Sequence, residues 1–109
     1  MTPEEFVKEF YIERKSLIDQ YFNKETPTYV SDLITSLRLS AEQEIIMKKI
    51  LYHSLGDAMY TILLGIDGCA TIGTTQQPYK LYDEEENEIT GSDLEGYAWE
   101  YFHNREDEY

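Results

Sequence analysis

The chain has 109 residues, 22 of them acidic and nine basic, and a formal net charge of −13 at pH 7. A hydrophobic share of 41% with ten tyrosines excludes a disordered chain and fits one domain, residues 1–109, with a modest core. Such acidity excludes nucleic acid and anionic membranes as partners and favours basic ones.

The N-terminus opens with Thr2-Pro3-Glu4-Glu5, which combines a helix N-cap, a proline at the first helical position and a capping-box glutamate. Phe6, Val7, Phe10, Tyr11, Leu17, Ile18, Tyr21 and Phe22 follow at helical spacing, so a helix is predicted to about Asn23. Thr26-Pro27 breaks it. A short helix comes next, with Val30, Leu33, Ile34 and Leu37 at i, i+3, i+4 and i+7.

Residues 40–65 are the densest apolar stretch. Ser40 and Gln43 have capping-box spacing, and Gly65 is a C-terminal stop. Met47, Leu51, Leu55, Ala58, Met59, Ile62 and Leu63 fill one broad face, while Ile46, Ile50, Tyr60 and Leu64 add apolar character elsewhere. A helix apolar nearly all round belongs in the middle of its domain. It is therefore predicted to be a central buried helix, with Leu55 and Ile62 in the core. Short connections predict that the first three helices pack as neighbours.

Beyond residue 65 the pattern changes. Gly65, Gly68 and Gly73 read as turn glycines; their spacing matches no phosphate-binding loop. Tyr79–Tyr82 reads as a strand, Asp83 to Asn87 as an acidic turn and Glu88–Thr90 as the returning strand, with Ala70–Ile72 as a third. Ser92, Asp93 and Glu95 form another capping box, which opens a last helix running to about Asn104, and residues 106–109 read as a frayed tail. The predicted fold is mostly α, of the α+β kind. The central helix is packed by an N-terminal helix pair and a C-terminal helix, with a small β-hairpin near 79–90.

Chemistry-bearing patterns are sparse. Lys49, His53, Asp57 and Thr61 recur every four residues along one side of the central helix and read as a polar seam. A His53–Asp57 pair could orient an imidazole for hydrolase or lyase chemistry, which is the enzyme alternative. His53 and His103 are the only histidines and have no zinc-ligand spacing. The run from Asp83 to Glu88 lacks the glycine and the final acid of a calcium-binding loop. No catalytic residue, metal or cofactor is expected. Cys69 is the only cysteine, and neither a signal segment nor an apolar run of the roughly 20 residues a membrane span needs is evident, so a cytoplasmic protein is expected.

Charge placement is the strongest functional signal. Residues 1–81 carry eleven acids and eight bases, a net −3, whereas residues 82–109 carry eleven acids and one base, a net −10. The last helix has a core face of Leu94, Tyr97, Ala98, Tyr101 and Phe102. Trp99, the only tryptophan, lies at the edge of its acidic face beside Glu95. Aromatics flanked by carboxylates suit a protein-binding surface, the acids steering and the rings anchoring. Tyr82, Asp83, Glu84, Glu85, Glu86, Glu88, Glu95 and Trp99 are the expected contact residues.

In size, acidity and the Tyr-, Asp- and Glu-rich segment from Tyr79 to Trp99, the chain resembles small bacterial immunity proteins. The resemblance implies an immunity protein or antitoxin, binding a basic toxin or nuclease stoichiometrically and catalysing nothing. A phage-type inhibitor that mimics nucleic acid, with carboxylates standing in for phosphates, is the other binding alternative.

Overall fold

The computed structural model describes residues 1–91 and 93–105. The capping role read for Ser92 and the tail at 106–109 lie outside the described residues. Among the described residues there are four helices: α1 (Pro3–Tyr21), α2 (Tyr29–Ser36), α3 (Ala41–Ile66) and α4 (Leu94–Phe102).

Local chemistry sets the helix starts. Thr2 accepts from the Glu5 amide with Pro3 opening α1. Thr28 and Ser31 exchange side-chain and backbone bonds in a capping box, and Ser40 and Gln43 do the same at α3. Between α2 and α3, Arg38 adopts a left-handed φ of 53°, which reverses the chain in a tight corner. The N-cap of α4, Asp93, makes no side-chain cap bond. Its place is taken from the end of α3: Asp67 accepts from the Gly91 and Glu95 amides at 2.9 and 3.3 Å. One carboxylate thereby caps α4 and ties it to α3.

The core lies at one end. Val7 of α1, Leu63 of α3 and Leu94 of α4 are wholly enclosed, joined by Ile89, Ala98, Tyr101 and Phe102. Helices α1, α3 and α4 pack on one another there, and α2 leans on α1. The molecule measures 46 × 28 × 25 Å with a radius of gyration of 16.1 Å, against the ~13 Å of a compact chain this long.

That elongation corrects the expectation of a central helix buried all round. Of the residues of α3, only Tyr52, Gly56, Leu63 and Gly65 are fully buried. Leu55 is half-buried, and Ile62, expected in the core, is 45% exposed. Ile46 and Ile50 are 57% and 53% exposed. The reason is length. At 1.5 Å per residue the 26 residues of α3 extend about 39 Å, while the nine of α4 extend about 14 Å and cover one end.

The β-hairpin is also corrected. No strand forms among the described residues; Tyr82 and Glu88 make a single antiparallel bridge. Two backbone bonds support it, Asp83 N–H to Asn87 O at 3.1 Å and Ile89 N–H to Leu81 O at 2.8 Å. The next rung is lost because the Leu81 amide donates to the Thr90 hydroxyl instead, at 3.1 Å. The third strand, expected at 70–72, is a turn closed by an Ile72–Thr75 bridge. A pairing this short does not stand alone, and Ile89 holds it by inserting into the helical core.

Arginine 14 occupies a position that the sequence pattern did not single out. It is 3% exposed and stacks on Tyr52 at 3.7 Å and Phe102 at 4.7 Å, donating to the Tyr52 hydroxyl at 2.7 Å. Gly56 makes the room: a Cβ there would overlap the Arg14 Nη1. The signal was present, because position 14 continues the Val7, Tyr11, Ile18 spacing onto the core face.

Candidate protein-binding surface

The acidic turn is built by Asp83. Its Oδ1 accepts from the Glu85 and Asn87 amides, both at 2.9 Å, and its Oδ2 from the Asn87 side chain at 3.2 Å. The Met1 ammonium completes the set at 2.7 Å. These donors, the ammonium first, hold the Asp83 carboxyl well below the usual carboxylate range. Glu86 takes a left-handed φ of 65° to close the turn. With Asp83 spent inward, Glu84, Glu85, Glu86 and Glu88 are left on the outside, all exposed. Tyr82, 51% exposed, stands at the base. The result is a fixed anionic knuckle beside the start of α1.

Trp99 is 51% exposed on α4. It is flanked one turn away by Glu95 and His103. The His103 ring packs edge-on against Tyr60 of α3 at 4.3 Å, and Glu95 accepts a hydrogen bond from the Cys69 thiol at 3.0 Å. That bond, then burial and the charges of Glu95 and Asp67, push the thiol up to about 11, so Cys69 is a protonated donor and a poor nucleophile at neutral pH.

The expected contact residues therefore fall into two groups. Tyr82 to Glu88 sit near Met1, and Glu95 with Trp99 sits on the flank of α4 that faces α3. The Tyr101 hydroxyl donates to Glu4 at 3.2 Å, which fixes the other flank of α4 against α1. The sequence could place all eight residues in one acidic third but not on one patch, because the partition follows from which flank of α4 meets which helix.

The enzyme alternative finds little geometry. His53 is exposed with its ring edge-on to Tyr52 at 5.4 Å, whereas Asp57 and Thr61 line a shallow groove of about 570 Å³ that His53 does not line. No three metal-ligating side chains converge among the described residues. Among the described residues no helix is long and apolar enough to cross a membrane. No family model, curated protein or solved structure matches the chain.

Proposed function

We propose that the chain is a stoichiometric protein-binding module, an immunity protein or antitoxin of the bacterial cytoplasm that neutralises a basic toxin or nuclease. The observation that carries this reading is the knuckle: four exposed glutamates on a turn whose shape Asp83 fixes, with Tyr82 at its base. A preordered acidic turn loses little entropy on docking, and its field draws in a cationic surface before contact. Trp99 supplies a large exposed ring of the kind that anchors interfaces.

The test is capture of partners from the native host at low and high salt, comparing wild type with the Glu84→Gln, Glu85→Gln, Glu86→Gln triple variant and with Trp99→Ala. A basic protein should be captured by wild type, released by salt and captured poorly by the triple variant. Trp99→Ala should mainly speed dissociation, at about 2 kcal/mol. Equal capture by all three proteins would reduce the knuckle to a solubilising surface.

A further inference from the structure

The chain has nine basic residues against 22 acids, yet three of the nine gather around one small cavity. The cavity, of about 110 Å³, lies away from the core, where α1 stops, α2 doubles back and α3 starts. Ser31, Ile34, Thr35 and Arg38 fall at i, i+3, i+4 and i+7, so one face of α2 and the corner after it form the first wall. Tyr21, Phe22 and Lys24 at the end of α1 form the second, and Glu44 of α3 stands opposite. Lys48, one turn after Glu44, lies over the Phe22 ring at 5.1 Å and brings a third cation to this end. None of Lys24, Arg38 and Lys48 forms an ion pair with a described residue. Arg38 also sits at a φ of 53°, which glycine adopts with less strain. An arginine at such a corner gives up stability to place its guanidinium there.

We infer that this cavity is a binding site for inorganic phosphate. Its volume suits one tetrahedral oxyanion and little more. The Arg38 fork and the Lys24 ammonium supply charge-assisted donors, and the Thr35 hydroxyl supplies another. Glu44 decides which oxyanion enters. It is the one acid lining the cavity among the described residues, and it is half-buried. It repels an ion with no proton to offer, such as sulfate. Phosphate keeps a proton at neutral pH, so its P–OH donates to the Glu44 carboxylate while its bare oxygens meet the cations.

The acidity of the chain does not forbid an anion here. The knuckle sits by Met1 at the start of α1, and the 19 residues of α1 set it about 28 Å from the cavity. Salt screens exposed charges over about 8 Å, so the field of the knuckle is spent well before that distance. The site is therefore independent of the proposed partner surface, and each can fail without the other.

Titration of the isotope-labelled full chain, followed by NMR at constant ionic strength and about pH 8, tests this. Phosphate, sulfate and methyl phosphate are then all dianions, and only phosphate carries a proton. Phosphate should shift amides of residues 21–48 in a saturable way and bind about tenfold more tightly than the other two, which lack the hydrogen bond to Glu44. Glu44→Gln should erase that preference, because a neutral amide neither repels sulfate nor requires a proton. Arg38→Gly should weaken phosphate binding about tenfold without lowering the melting temperature, since glycine relieves the corner. Lys24→Gln, at an exposed position, should weaken it in the same way. An absence of saturable shifts would overturn the inference, as would equal affinity for the three ions, a preference that survives Glu44→Gln, or a phosphate affinity that Arg38→Gly and Lys24→Gln leave unchanged.

Discussion

Leu63 and Ile46 are both large aliphatic residues of α3, yet one is wholly enclosed and the other is 57% exposed. They mark two ends of one helix in different surroundings. At the C-terminal end, α1, α4 and Ile89 close around α3. At the N-terminal end α4 is absent, and the helix presents isoleucines outward. The comparison teaches that an apolar helix need not be a buried one. Which face is covered depends on the length of the neighbouring helices, not on the apolarity of the helix itself.

The largest effects should separate these ends. Leu63→Ala and Leu94→Ala remove fully enclosed side chains and should each cost about 2–5 kcal/mol in urea melts. Ile46→Ala, at the exposed end, should change the dilute protein by less than about 0.5 kcal/mol. Similar losses at Leu63 and Ile46 would erase the distinction.

A smaller contrast uses two glycines of α3. Gly56→Ala drives a methyl into the Arg14 guanidinium, which is buried between Tyr52 and Phe102 and has nowhere to go. It should cost about 1–3 kcal/mol despite the better helix propensity of alanine. Gly65→Ala meets the Ile72 side chain, which is 39% exposed and must rotate away, and should cost less than Gly56→Ala. Thermal melts of the two variants side by side decide the point.

The smallest effect concerns the joint between α3 and α4. The Cys69 thiol is pushed up from 9.0 to about 11 by its bond to Glu95. A group raised on folding stabilises below its unfolded value, so this contribution is complete below about pH 9 and fades as pH rises through 11. Alkylation of Cys69 should be slow at pH 8 and faster in Glu95→Gln, whose neutral amide no longer disfavours the thiolate. Equal rates would mean the thiol–carboxylate bond does not form in solution.

Much of this was legible locally. The caps at Thr2 and Ser40 are three-residue patterns, and the core face of α4 from Leu94 to Phe102 follows from one period. What failed was non-local. The environment of Arg14 depends on Tyr52, 38 residues away, and on Gly56 opposite. The tyrosines and the polar–apolar alternation of 79–82 suggest a ladder, but the Thr90 hydroxyl intercepts the Leu81 amide and ends it. For the candidate site, the exposed glutamates and Trp99 could be named from sequence. The inward use of Asp83 could not, because it depends on how the turn folds over that one carboxylate.

The most direct measurement of the two-ended fold is native-state hydrogen exchange along α3. Amides of residues 56–66 should exchange only through global unfolding, while those of residues 41–52 should exchange faster through local opening, because few buried contacts hold them. Equal protection along the whole of α3 would contradict it, and would mean that the isoleucine end is held as firmly as the core end.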